Sequence, residues 1–489
     1  MKKGFVWFVL AVSVVFFLTG CASTGSASGA SGAASDSVGA ASGASEAAHT
    51  YEDTLFDSSY VHRVDITIAE ADWDDLLANP LEKTKYKASI EIDGELFDEV
   101  SVATKGNSSL AFVAADGLSR YSYKVNFSKY DKNQTYHGLN KLNLHNGFYD
   151  TTYMKDYFSY EIFRQAGVDA PLTSFVWLTV NGEDRGLYLA VEDEAESFLD
   201  RTLGGEGVIY KPESSDLGLT VEKVNAVRAN GLPMAKETHG SDLAYKDDDI
   251  ASYPDIFKNN ETKAKEADNL AVIAALKHLS TGTDLEDYLH TAQIISFFAA
   301  HNFLLNYDSY TAGMLHNLVL FIHDGKLGLL PWDYNLSYAT FVPAITNMAI
   351  ENATDILNQG IDSPLFLIED DSRPMWSWIV NDPQYLAAYH DALDDLIAYF
   401  ESGKFEEEAR AMHDLLLPYV EKDPTAFYDL DAFERGFETL VEFCKRRAQS
   451  IRFQLDGKLA TRNADQRDQD KVDASDLVVF EMGGPDWVY

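Results

Sequence analysis

The sequence predicts an α+β fold in two lobes, a strand-rich lobe followed by a helical one. Three observations carry this. Between about residues 60 and 215, short runs such as Val64-Asp65-Ile66-Thr67-Ile68 and Tyr123-Lys124-Val125-Asn126-Phe127 alternate apolar with polar side chains, the period of half-buried strands. From about 263 to 455 the apolar spacing turns helical. The stretch between, 216–262, is acidic and follows neither period, so it reads as an irregular insertion.

The chain opens with Lys2 and Lys3, an apolar run from Phe5 to Phe17, and then Leu18-Thr19-Gly20-Cys21. The run is too short for a comfortable membrane span. Small residues leading into a cysteine resemble the lipobox of bacterial lipoproteins. Residues 1–21 are therefore expected to be a lipoprotein signal with Cys21 as the lipidated residue. The alternative is an ordinary signal peptide cut at a nearby alanine. A diacylglycerol thioether anchors stably where one acyl chain would not. The expected location is extracytoplasmic, on a membrane surface. Ser, Gly and Ala dominate residues 22–49, and 22–59 is read as a flexible tether.

In the first lobe, Ala88-Ser89-Ile90-Glu91-Ile92 is a second alternating strand, followed by the hairpin signal Asp93-Gly94. A helix is expected over 151–166, stopped by Gly167 with Pro171 beyond. Phe175–Val180 and Gly186–Val191 flank the turn Asn181-Gly182-Glu183-Asp184 as another hairpin. In the second lobe, Ala292–Leu305 is apolar nearly all round and should be a buried helix. A hairpin follows: Leu318–Ile322, the turn Asp324-Gly325-Lys326, and Leu327–Leu330. Residues 456–489 are polar and acidic with an aromatic end, Trp487 and Tyr489, and read as a poorly ordered tail.

The formal net charge is −39. A surface this acidic repels phosphate backbones and makes nucleic acid an improbable partner. The cysteines are Cys21 and Cys444. With the first lipidated, no intrachain disulfide can form, and the fold must rest on its core. Cys444, in the helical pattern Phe437, Leu440, Phe443, is expected to be a small buried hydrophobe.

Three constellations could carry chemistry. Asp308 leaves the apolar helix, Asn317 opens the second-lobe hairpin and Asp333 closes it. Antiparallel strands bring Asn317 and Asp333 together, and the loop with Asp308 leads to the same edge. Two carboxylates and an amide oxygen are hard ligands suited to Mg²⁺ or Mn²⁺. Phosphoryl transfer needs such a set, one Asp to orient the acceptor hydroxyl and an Asn with an Asp to hold metal. As turn residues the same three would need no function. The second is Lys124 with Glu161. Glu161 falls mid-way across the apolar face formed by Met154, Tyr157, Phe158 and Ile162, and a buried carboxylate must be paired. Lys124 is the expected partner, poised toward nucleotide phosphates; the alternative is that Glu161 reaches solvent at the rim and Lys124 faces water. The third is the loop Lys105-Gly106-Asn107-Ser108-Ser109 after a strand. Its free N–H groups could cradle phosphate, although the spacing is neither that of a P-loop nor that of a kinase glycine loop.

Taken in order, Lys105–Ser109, Lys124–Phe127, Tyr157–Gly167, Asn181-Gly182, Gly186–Glu192 and Gly207-Val208-Ile209-Tyr210-Lys211 form a recognisable series. It continues through Asp242-Leu243 with Tyr245, Asn306–Asp308, His316-Asn317, Pro331-Trp332-Asp333 and Ser363-Pro364-Leu365. The series resembles the CotH kinase family over roughly residues 60–455. The resemblance implies an atypical protein-kinase fold and transfer of phosphate from ATP, with Mg²⁺ or Mn²⁺, to Ser or Thr of a protein substrate. It puts the catalytic Asp on Asp308 and the metal-binding Asp on Asp333. Asn317 as metal ligand, Lys124 as catalytic lysine and Glu161 at the nucleotide follow by analogy, and Lys105 and Asn107 of the small-residue loop are expected at the nucleotide. Two alternatives stay open: a catalytically silent surface scaffold, and an enzyme that transfers the nucleotide instead.

Overall fold

Seven strands close into a barrel in the first half of the chain: β1 His62–Ile68, β2 Tyr86–Ile92, β3 Glu95–Lys105, β4 Ser122–Asn126, β5 Lys141–His145, β6 Thr173–Val180 and β7 Glu183–Glu192. Their order around the barrel is β1-β2-β3-β4-β5-β7-β6, and β1 closes it by running parallel to β6, with Val64 opposite Leu178. Alternation along each strand sorts the two faces. Val64, Ile90, Val102, Val125, Leu142 and Tyr188 fill the interior. On the outer face, register places Ala103 beside Lys124, Lys124 beside Asn143, and Lys105 beside Ser122. That polar outer stripe becomes one wall of the site.

The computed structural model describes residues 50–213, 220–230, 238–346, 350, 352–369 and 371–485. The signal segment, Cys21 and the tether to residue 49 lie outside the described residues, as do Trp487 and Tyr489. Among the described residues, no helix is long and apolar enough to cross a membrane.

A second sheet in the order β10-β9-β8 is built from β8 Val208–Tyr210, β9 Leu318–His323 and β10 Lys326–Pro331. It packs beside the Thr291–Leu304 helix, whose Ile294, Phe298 and Phe303 are fully or almost fully buried, and the long helices Pro383–Glu401, Lys404–Val420 and Leu430–Leu455 complete this half. The described residues from 50 to 485 belong to a single compact unit.

Four expectations are corrected. The tether ends by residue 50, because Tyr51, Leu55 and Phe56 are buried and the Tyr51 hydroxyl donates to Glu192 at 2.7 Å. The helix expected from 151 starts at Lys155. Asp150 takes the Lys155 amide at 2.9 Å, and Tyr153 sits at φ 60°, outside helical geometry. The 216–262 insertion is less irregular than its composition. Val224 and Val227 of the Val221–Asn230 helix pack on Ala111 and Phe112, and Tyr253 and Ile256 enter the main core. The tail is not loose through residue 485. Val472, Leu477, Val479 and Met482 are buried in the main core, and Gly483 and Thr151 lie in contact distance of one another's chain. Aperiodic apolar residues on a polar background carry no helical or strand signal, which is why this packing is silent in the sequence.

Candidate active site

A cleft of about 330 Å³ lies between the polar outer stripe of the barrel and the edge of the second sheet. Lys105, Lys124, Asp193, Glu194, Lys211, Asp308, Asn317 and Asp333 all line it. Gly106 stands at φ 111°, and a Cβ there would lie 2.9 Å from the Ser109 hydroxyl. Only glycine turns β3 so tightly into the Ser108–Ala115 helix. Asn107 is fixed at the mouth, accepting from Lys83 at 2.8 Å and donating to Glu213 at 2.6 Å.

The barrel wall supplies lysines held in place. Lys124 pairs with Asp193 at 2.6 Å, and Asn143, its neighbour across β5, donates to the same carboxylate at 2.9 Å. Burial would push the Asp193 carboxyl up, but the Lys124 and Lys141 charges outweigh it and hold it below the usual range. The Lys105 ammonium lies 2.8 Å from His145 Nε2, and His145 Nδ1 lies 3.0 Å from Asp156. An ammonium only donates, so Nε2 accepts and the ring proton sits on Nδ1, donating to Asp156. Burial and the Lys105 charge push the His145 pKa down to about 3, keeping it neutral, while burial raises Asp156 to about 6. Across the cleft, Lys211 follows β8 of the second sheet; it lies 3.4 Å from the centre of the Trp332 ring, and burial lowers its pKa to about 8.

The opposite wall supplies carboxylates. Leu318 pairs with Pro331 in register, so Asn317 and Asp333 flank the open end of the β9–β10 hairpin. Both adopt left-handed backbone, φ 54° and 59°, a conformation that turns the chain abruptly at each end of the hairpin. Asn317 Nδ2 donates to the Asp308 carbonyl at 2.9 Å and to its carboxylate at 3.1 Å, leaving the amide oxygen for another partner. His316 Nε2 lies 2.7 Å from the other Asp308 oxygen. Burial raises the Asp308 pKa, and the charge of His316 pulls it back. The sequence-predicted triad thus converges, Asp308 through Asn317 and Asp333 at the same hairpin end.

Glu161 does not join it. Its carboxylate pairs with Arg164 at 2.5 Å and lines a separate pocket with Ser58 and Glu408, not the cleft. The Lys155–Gln165 helix is covered nearly all round, with Ser159, Tyr160 and Phe163 buried as well. The face of Met154, Tyr157, Phe158 and Ile162 is buried, but Glu161 stands at its rim, 29% exposed, rather than inside it. The carboxylate of this helix that connects to the cleft is Asp156, which lines an adjoining pocket and reaches Lys105 through His145, and the partner of Lys124 is Asp193. Asp193, Glu194, His145, His316, Lys211 and Trp332 were missed as site residues. Several lie in the ordered series, but their roles depend on strand ends meeting across the fold.

The donor set fits a hard divalent cation, with Asp308, Asn317 and Asp333 offering oxygens. Among the described residues, no three carboxylate or imidazole atoms of the cleft already meet around one point; the group that does, Glu206, His323 and Asp324, lies elsewhere and is largely exposed. Magnesium is commonly held by one or two carboxylates with phosphates and waters completing the shell, so an uncompleted cage agrees with that chemistry.

The sequence matches the CotH kinase protein family over residues 102–451. The chain belongs to the CotH kinase family. It is also similar to the inner spore coat protein H of Bacillus subtilis (strain 168), 24% identical over 409 residues, covering 81% of this chain and 96% of that protein. The CotH match runs from the end of β3 into the Leu430–Leu455 helix and so contains both walls of the cleft, leaving out β1, β2 and most of β3.

Proposed function

We propose that this CotH-family chain is an ATP-dependent protein kinase that phosphorylates Ser or Thr of extracytoplasmic proteins, with Mg²⁺ or Mn²⁺. The observation that carries the reading is one cleft with lysines on the barrel wall facing Asp308, Asn317 and Asp333 on the hairpin wall. In this reading the barrel and the helical half act as the two lobes of a kinase-like fold, with nucleotide between them. Lys105, Lys124 and the Asn107 loop take the phosphates. Asp333 and Asn317 hold the cation, which when bound would neutralise phosphate charge and orient the transferred group. Asp308 accepts the proton of the acceptor hydroxyl. Its burial makes it a better base than a free carboxylate, and His316 and Asn317 fix its orientation.

Cys21 carries the lipid in this reading, and the domain works at a membrane surface on protein rather than nucleic acid. The name of the B. subtilis relative, a spore coat protein, agrees with action outside the cytoplasm. The decisive experiment incubates the purified chain with Mg²⁺, surface proteins and ATP labelled at the γ or the α phosphate. Ser or Thr labelled from γ supports a kinase. Label from α means nucleotidyl transfer, and failure to bind ATP leaves a scaffold. In cells, Cys21→Ser should abolish labelling by a fatty-acid analogue; persistent label would overturn the anchor.

A further inference from the structure

Glu194 follows directly on the Asp193 that pairs with Lys124, and it is 3% exposed. Neither of its carboxylate oxygens has a hydrogen-bond partner, although the residue lines the cleft. A buried acceptor left unpaired is expensive and rare in native proteins, and here there are two on one group. Lys211 is the nearest source of positive charge, but its ammonium is seated on Trp332 and makes no ion pair with Glu194 among the described residues. Glu194 and Asp333 are close in space, since the buried Tyr160 hydroxyl feels both charges and accepts the Asp333 amide at 3.1 Å. Glu194 is thus a buried carboxylate facing the cleft with both oxygens unpaired.

We infer that Glu194 is a ligand for a divalent cation on the barrel wall of the cleft, additional to Asp333 and Asn317, with the phosphates of a bound nucleotide completing the shell. The inference rests on the phosphoryl-transfer reading. The surroundings favour a cation over a neutral hydroxyl of the nucleotide. Asp193, Glu261 and Asp333 put further negative charge in the same cleft, and a hydroxyl would satisfy one of the two unpaired oxygens. A dication satisfies both oxygens and offsets the charge.

The test is equilibrium dialysis of the full chain against Mn²⁺ with the non-hydrolysable ATP analogue AMP-PNP, counting metal and nucleotide retained. Glu194→Gln keeps the shape of the side chain and removes its charge. The expected result is one Mn²⁺ fewer per bound AMP-PNP, or at least a tenfold rise in half-saturating Mn²⁺, with a metal-free melting temperature no lower than the parent's. Should the Gln variant fail to fold, Glu194→Asp, which withdraws the carboxylate by one methylene, should show the same rise in half-saturating Mn²⁺ to a smaller degree. Unchanged metal count and half-saturation in a folded variant overturn the inference and leave the kinase reading standing. A parent that retains neither Mn²⁺ nor AMP-PNP overturns both.

Discussion

At the scale of single residues, the two carboxylates of the hairpin wall should fail differently. Asp333→Ala removes a cation ligand, so Mg-ATP binding should weaken along with transfer. Asp308→Ala leaves the metal ligands in place, so Mg-ATP should bind nearly as in the parent while transfer falls by about 10²–10⁴, the range of a lost general base. Calorimetric titration beside a transfer assay separates the two, and transfer at the parent rate by Asp308→Ala would reduce Asp308 to a turn residue. A second residue-scale prediction concerns His301, in the helix that delivers Asp308. It is buried, bonded to Tyr334 at 2.8 Å and Thr311 at 2.7 Å, and burial holds its pKa down to about 3. The unfolded chain binds that proton near pH 6.5 and the folded one does not. Its contribution is therefore complete above pH 6.5 and lost as pH falls toward 3, by about 1.4 kcal/mol per unit. Asp156 acts in the opposite sense, because its raised pKa makes the folded state the proton binder between about 4 and 6. Comparing parent with His301→Gln cancels that term. The variant should show a shallower fall in urea-measured stability between pH 6.5 and 4, and an equal slope would mean His301 is protonated in the fold.

At the scale of elements, what could be read was what repeats locally. The alternation in β1, β2 and β4, the hairpin of β9 and β10, and the largely apolar Thr291–Leu304 helix stand where the sequence puts them. Asn317 and Asp333 meet because hairpin geometry is itself local. Closure of the barrel was not legible, because it depends on His62 lying opposite Val176, more than a hundred residues away. Nor was the Lys124–Asp193 pair, since a strand end and a mid-strand lysine meet only through the β4-β5-β7 order. The C-terminal segment belongs to the same class. Met482 is fully buried, the Glu481 carbonyl accepts from Thr151 at 2.5 Å, and the Gly483 carbonyl accepts from Lys155 at 3.2 Å. Those contacts brace the turn before the Lys155–Gln165 helix, where Tyr149 lines the cleft. Met482→Ala should lose about 2–5 kcal/mol in urea unfolding, the range for truncating a buried Met. A loose tail would lose nothing measurable.

At the scale of the whole molecule, one buried ion pair ties the barrel to the helical half. Arg120, just before β4, is 2% exposed, and its partner Asp423, between the Lys404–Val420 and Leu430–Leu455 helices, is fully buried. The guanidinium donates to both Asp423 oxygens at 2.9 Å, to Thr425 at 2.7 Å and to the carbonyl of Asn146 at 2.9 Å. Asp423 accepts the Leu187 amide at 2.9 Å, and a Cβ on Gly186 would overlap its carboxylate at 1.9 Å. Glycine at φ 90° is thus required for the loop to seat against β7. Two charges taken out of water are favourable only while each has its full set of partners. Losing one leaves the other buried and uncompensated. Arg120→Met or Asp423→Leu alone should therefore cost about 3–5 kcal/mol, and the two together should cost clearly less than the sum. The excess measures the strandedness of a lone buried charge, not the net worth of the pair. Urea unfolding of the two singles and the double closes the cycle. Additive losses would mean that Arg120 holds the barrel through the carbonyls of Asn146 at 2.9 Å and Arg185 at 3.1 Å alone, and that the Asp423 loop merely rests against it.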